Sequence, residues 1–321
     1  MDIRKVATVF GGTGFVGRYV VARLARDGYV VRVASRRPDR AAGMRLFGDV
    51  GQVVPLYASV LEERSSVAAI EGSDLVVNLV GILAPGRHAG FTAVHVDAAA
   101  RVARLCASAG VGALVHMSAI GADPDGVSDY GRSKGQGEVE VQRHMAEAVI
   151  VRPSIIFGAE DHFTNMFAAM ARYLPVMPVY GGMTRFQPVH VADVAEAIRR
   201  IARGLGRGAG VVEGSSAEDI FAGSIFELGG PRVWRMQDMV RWIMRAAGHP
   251  RRVFAVPPWL ARIQASCLEH LPGRMLTRDQ LSMLYVDNVV APGMRGLAHL
   301  GISPLSLEIA APQYLARFRS A

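Results

Sequence analysis

Between Val6 and Gly17 the chain reads VATVFGGTGFVG: a run of β-branched residues, then glycines at Gly11, Gly14 and Gly17, then apolar residues at helical spacing over 14–26. Few arrangements accept a strand that turns straight into a helix through three spaced glycines. The first allows a tight turn, the second lets backbone N–H groups approach a ligand, and the third lets the helix pack closely on its strand. The N-terminus of the following helix carries partial positive charge suited to a pyrophosphate. The motif opens the chain's first strand–helix unit and is followed by a fitting second strand, which predicts a dinucleotide site.

The pattern beyond it agrees. Segments 29–35, 52–57, 74–81, 113–119 and 148–154 are Val, Ile and Leu runs separated by helix-compatible stretches. Continuous apolar strands between helices indicate a parallel sheet covered on both faces. The fold class expected is α/β, a doubly wound Rossmann-type parallel sheet with a small, mostly helical C-terminal lobe. Residues 1–203 form the dinucleotide-binding part and 204–321 the last sheet strands plus the smaller lobe, their elements interleaving. Residues 236–248 and 259–271 read as helices, and 203–220 as the most loop-like interval.

The second strand ends in Ser35, Arg36 and Arg37. An acid at such a strand end would accept hydrogen bonds from ribose hydroxyls and repel a 2′-phosphate, whereas a guanidinium can grip that phosphate in a forked geometry. NADP(H) is therefore expected over NAD(H). The missing acid argues more strongly than the arginines, which are common throughout this chain.

Tyr130 and Lys134 stand four apart at the start of a predicted helix, so their side chains share a face. Ser118 precedes them at the C-terminal end of a predicted strand, the edge where open α/β sheets bind ligands. An ammonium near a phenol favours the phenolate and eases proton exchange with a substrate oxygen. Of 36 basic residues only Lys5 and Lys134 are lysine. A chain that writes nearly all its cations as arginine keeps a compact ammonium at 134, which marks that position as functional.

The charge of +8 divides evenly: 23 basic and 19 acidic residues over 1–203, 13 and 9 beyond. With no basic arm and no nucleic-acid motif, nucleic acid is not expected as a partner. An arginine-rich solvated surface accounts for the charge, and an acidic partner or anionic membrane surface is the other reading. No apolar run suits a transmembrane segment and residues 1–10 lack a signal peptide's stretch, so a cytoplasmic protein is expected. Cys106 and Cys267 lack metal-ligand spacing and read as buried thiols; no metal site is expected.

With the glycine turn, NLVG at 78–81, Ser118 and Tyr130-x-x-x-Lys134 in place, the chain resembles an extended, atypical short-chain dehydrogenase/reductase. MRLFGDVGQVVPL, YGRSKGQGE, VRPSIIFGAEDHFTNMFAAM and FQPVHVADVAEAI follow in order. Together they resemble the NADPH-binding accessory subunit family of respiratory complex I and its bacterial relatives, over about residues 4–200. LTRDQLSMLYVDNVV at 276–290 extends the match.

The resemblance implies a Rossmann domain that holds NADPH tightly. It implies partners among respiratory complex I subunits or quinone-biosynthesis proteins, and peripheral association at the cytoplasmic face of the inner membrane. By position, Gly11, Thr13, Gly14, Phe15 and Val16 line the pyrophosphate, with Arg36 and Arg37 at the 2′-phosphate. Leu79, Val80 and Gly81 pass under the adenosine side. Lys134 and the backbone of Pro153, Ser154, Ile155 and Ile156 meet the nicotinamide half. Val60 stands where such folds usually place an Asp against adenine and offers only backbone. His95 replaces an Asn that commonly supports proton transfer, leaving a cofactor-holding role and an active reductase, dehydrogenase or epimerase both open. Phe163, Met166, Phe167 and Met170 fit either a cleft lining or, more simply, core.

Overall fold

The β-branched runs become strands stacked side by side, because a parallel sheet buried on both faces needs apolar side chains on both. The computed structural model describes residues 4–86, 89–206, 221–268 and 277–319. Strands β1 (Val6–Phe10), β2 (Val30–Ser35), β3 (Val53–Tyr57), β4 (Leu75–Asn78), β5 (Ala113–Met117) and β6 (Val149–Pro153) follow the predicted segments. With β11 (Ile225–Leu228) they make a seven-stranded sheet in the order β11-β6-β5-β4-β1-β2-β3, every neighbouring pair parallel.

The chain runs outward from β1 to β3, then returns to lay β4 on the other side of β1. This reversal opens a crevice at the strands' C-terminal ends, where such sheets bind ligands. Helix α1 (Phe15–Arg26) packs one face together with α6 (Val191–Gly206). On the other face lie α2 (Glu63–Ile70), α3 (Ala98–Ser108) and α4 (Asp129–His144). Leu114 and Ile150 are fully buried there, each contributing about 1.5–3 kcal/mol by burial.

The interval expected to be loop from 203 begins as helix. Helix α6 continues to Gly206 because Arg203 pairs with Asp27 (Nε to Oδ2 2.7 Å), as does Arg199 (3.0 Å), tying its last turns to α1. Residues 207–220 lie outside the described residues, as do 269–271 of the expected helix and the Cys267 side chain. Cys106 is fully buried.

The smaller lobe is assembled from both halves of the sequence. Short strands β7 (Ile156–Phe157), β8 (Val176–Val179), β9 (Arg185–Phe186) and β10 (Val189–His190), with α5 (Phe163–Ala171), precede α6. After β11 come β12 (Trp234–Arg235), α7 (Met236–Ala246), β13 (Arg252–Ala255), α8 (Pro258–Leu268), α9 (Arg278–Met283) and α10 (Leu307–Leu315). Two-stranded ribbons β7·β10, β9·β12 and β8·β13 connect them. Phe157, Met177, Trp234, Met239 and Leu315 share its core; Phe167 is buried there too, Phe163 and Met170 pack against it, and Met166 faces out.

Candidate functional site

The glycine turn is formed as its spacing demands. Gly11 has φ +76°, a conformation that costs glycine little, and Gly14 N–H closes the turn on the Gly11 carbonyl (2.9 Å). A Cβ on Gly17 would strike the carbonyls of Gly11 and Gly12, so only glycine lets α1 pack this closely. Helix α1 starts at Phe15 with no side-chain cap and no acid in its first turn, so its N-terminal amides, those of Phe15 and Val16 included, meet no carboxylate of that turn.

Thr13 Oγ1 lies 3.2 Å from Ser35 Oγ, which also accepts the Arg37 N–H (3.1 Å). Ser35 thus joins the turn after β1 to the turn after β2. Arg36 and Arg37 are exposed, Arg37 leaning on Asp39 at 3.5 Å. Val60 is buried, and its carbonyl accepts Arg101 Nη1 at 2.7 Å.

The backbone after β4 connects this end of the crevice to the other. Leu79 N–H donates to the Phe10 carbonyl (3.0 Å), and a Cβ on Gly11 would sit 3.4 Å from the Leu79 carbonyl carbon. Val80 N–H is held by Asn78 Oδ1 (3.2 Å). A Cβ on Gly81 would reach 3.4 Å from Lys134 Nζ. The strip Leu79, Val80, Gly81 therefore runs from the glycine turn to the lysine.

Helix α4 carries three glycines on a close-packing surface. Cβ atoms on Gly131, Gly135 and Gly137 would meet the Gly121 carbonyl, the Asp123–Pro124 backbone and the His95 carbonyl respectively. Each interior glycine costs a helix about 1 kcal/mol, and here each permits a backbone contact that fixes Tyr130 and Lys134. Lys134 is buried and donates to the Met117 carbonyl at 2.9 Å, one residue before Ser118. Burial lowers its pKa to about 8, against the pull of Glu138.

The Tyr130 phenol differs from expectation. Its pKa is raised to about 12 by burial. The ring packs edge-on to His95 (5.4 Å between centroids) and Phe91 (5.9 Å), and the Lys134 ammonium is directed at a backbone carbonyl. A phenolate would therefore need the lysine to turn from Met117 or a ligand to change the surroundings.

His95 lies in a π-helical turn, Thr92–Asp97, a feature common at functional sites. Its Nε2 accepts the Ile82 N–H (3.0 Å), which places the proton on Nδ1, donating to Ser133 Oγ (2.9 Å); Ser133 in turn donates to the Tyr130 carbonyl (2.8 Å). Burial, reinforced by Lys134, lowers the His95 pKa to about 3. Both ring nitrogens are thus engaged in joining the 79–82 strip to the tyrosine helix, a structural use.

Ser118 is buried and its Oγ has no hydrogen-bond partner among the described residues. A buried hydroxyl left unpaired costs about 1–3 kcal/mol, so this one is free to hydrogen-bond a bound group. Together with the amide-rich turn and the strip to Lys134, it fits a dinucleotide whose reactive end brings an oxygen-bearing partner.

Among residues 153–156, the Pro153 carbonyl accepts Ile120 N–H (3.1 Å), and Ser154 N–H donates to the Leu228 carbonyl (2.9 Å). Ser154 Oγ donates to Asn288 Oδ1 (2.6 Å), and the Ile155 carbonyl accepts Val189 N–H (2.9 Å). Ile155 and Ile156 remain half-buried.

Two further residues come from the far end of the chain. Asp279 accepts the Asp129 N–H (2.5 Å) and the Tyr130 N–H (3.2 Å), capping the tyrosine helix from the smaller lobe beside its own N-cap, Ser128. Asn288 donates to the Ile120 carbonyl (3.0 Å) while accepting Ser154 Oγ, bridging the ends of β5 and β6. Thr277 and Gln280 form a capping box on their own helix; no local pattern assigns the neighbouring Asp279 to cap a different one.

Comparison with known proteins agrees with this geometry. The mouse protein named NADH dehydrogenase [ubiquinone] 1 alpha subcomplex subunit 9, mitochondrial, is 34% identical over 98% of this chain and 81% of its own length. The NADH-ubiquinone oxidoreductase 40 kDa subunit of Neurospora crassa is 30% identical over 98% and 80%. A solved nucleoside-diphosphate-sugar epimerase from Staphylococcus aureus shares the fold at a TM-score of 0.70 and 13% identity, over 96% of this chain and 99% of that one. The sequence pattern of the NAD dependent epimerase/dehydratase family matches residues 7–210, a span that contains the glycine turn, Ser118, Tyr130 and Lys134. The chain belongs to that family, whose members bind a nicotinamide dinucleotide.

Proposed function

We propose that this chain holds NADP(H) as an accessory factor of a respiratory NADH:ubiquinone oxidoreductase or a quinone-handling assembly, at the cytoplasmic face of the membrane that carries it. The observation that carries the cofactor choice is the end of β2. Ser35 is fixed to the glycine turn, no acid stands at the ribose position, and Arg36 and Arg37 lie exposed beside it. Gly11, Thr13, Gly14, Phe15 and Val16 would receive the pyrophosphate, and Leu79 to Gly81 would underlie the dinucleotide. Lys134, with Ile155 and Ile156, would meet the nicotinamide half. The assembly reading is supported by likeness to two mitochondrial complex I subunits over 98% of this chain and about four fifths of theirs and by Tyr130, whose phenol stands near 12. The test is gentle extraction from native membranes. NADPH that stays bound and does not exchange, in a chain recovered with dehydrogenase subunits, is the expected result. A free chain with rapidly exchanging nucleotide would overturn it.

The unpaired Ser118 Oγ favours a second reading, an NADP-dependent reductase, dehydrogenase or epimerase. The nicotinamide, when bound, gives or takes hydride. Ser118 would hydrogen-bond the substrate oxygen and Tyr130 would exchange its proton, with the ammonium of Lys134 turned from Met117 toward the phenol. A Tyr130→Phe chain that binds NADPH and fully supports cellular function would argue against this reading.

A further inference from the structure

A groove of about 440 Å³ opens on the smaller lobe, lined by Arg241, Arg245, Pro250, Arg251, Arg252 and Val253. Four arginines line one opening, and no carboxylate is among the lining residues. Arg241 reaches Asp238 outside the lining (2.8 Å), and Arg251 Nε donates to the Ala171 carbonyl (2.9 Å). Arg245 and Arg252 are exposed and form no ion pair among the described residues. The C-terminal dipole of α7 accounts for Arg245, which sits in its last turn. It does not account for Arg251 and Arg252, which follow the helix and enter β13. Like charges gathered this way repel unless an anion joins them.

The groove's surroundings select the anion. Arg252 pairs in register with Val176, and Phe254 follows two residues later, so all three share the outer face of the β8·β13 ribbon. Val176 is 45% and Phe254 51% exposed. A free phosphate has no use for these side chains. A bilayer surface uses both kinds: apolar and aromatic groups at headgroup level, cations against anionic lipid.

We infer that the arginine groove and its apolar border form a docking surface for anionic phospholipid in a bilayer. This deepens the membrane location proposed above and is independent of the nucleotide site. The experiment floats the full-length, nucleotide-loaded chain with vesicles of phosphatidylcholine alone, or of phosphatidylcholine and phosphatidylglycerol in equal parts.

Binding is expected only to the anionic vesicles. It should fall about thirtyfold in Arg245→Gln/Arg252→Gln, from the usual contribution of two cations near such a surface. Arg245→Lys/Arg252→Lys should keep most of it, which separates charge from damage to the fold. Phe254→Ser should weaken binding without changing its salt dependence. Equal binding to both vesicles, no binding to either, or an unweakened glutamine variant overturns the inference. So does loss of vesicle binding on adding inorganic phosphate at the same headgroup concentration, which would mark a site for free anions. Nucleotide absorbance in the same fractions reports separately on the cofactor, so the two readings fail independently.

Discussion

At the scale of single residues, the crevice is organised by burial around one ammonium. His95 and His116 both sit near a pKa of 3, desolvated and close to Lys134. His116 meets Asn78 Nδ2 through Nδ1 (3.2 Å). Ring-nitrogen NMR should find both imidazoles neutral at pH 5, and a protonated signal there would refute it. Their folded values lie below the ordinary 6.5, so the unfolded chain binds more protons between about 6.5 and 3. Stability is therefore full above that window and lost as pH falls through it. Lys134 runs the other side of neutrality: with a folded value of about 8 against 10.5, stability of the nucleotide-free chain should rise as pH climbs between them. Lys134→Arg tests the lysine itself. A larger, planar guanidinium cannot repeat the single bond to Met117 in the same geometry. Binding of NADPH should weaken at least about tenfold, read by fluorescence titration, with the fold retained.

Elements place those residues, and α4 does most of it. Its glycines bring the backbone against residues 121–124 and the His95 turn, and Asp279 closes its N-terminus from the smaller lobe. Asp279→Ala should cost about 1 kcal/mol, as other helix caps do, and should also speed NADPH release, because the same peptide units carry Tyr130. A variant with lowered melting temperature but unchanged release rate would confine Asp279 to stability. The long apolar strands and the glycine turn were legible because each is set by local spacing. The ribbons β7·β10, β9·β12 and β8·β13 were not, since segments so short take their form from partners far along the chain. Asp279 lies 149 residues from Tyr130, and no local pattern encodes that pairing. Tyr130, Lys134 and Ser118 could be named from the sequence. The raised phenol pKa could not, because it comes from burial that only folding creates.

Across the whole molecule, sheet and smaller lobe meet at the crevice, joined by Asn288 and Asp279 at its Tyr130 end and by Phe15 beneath Gly158 near the turn, where a Cβ would come 3.1 Å from the ring. A dinucleotide lying along the strip from Gly11 to Lys134 would touch sheet, α1 and α4 at once, so its binding should stabilise the molecule as a unit. At a hundred times its dissociation constant, a ligand bound only to the folded state adds about 2.7 kcal/mol. NADPH should therefore raise the melting temperature more than NADH at equal concentration. Arg36→Glu/Arg37→Glu should erase or reverse that preference. Both side chains are exposed, and the one ion pair between them and the described residues, Arg37 with Asp39, lies at the surface, so the nucleotide-free melting temperature should move little. If the double variant keeps its preference for NADPH, the extra phosphate is read elsewhere, and the end of β2 loses the role that Ser35 and the absent acid assign to it.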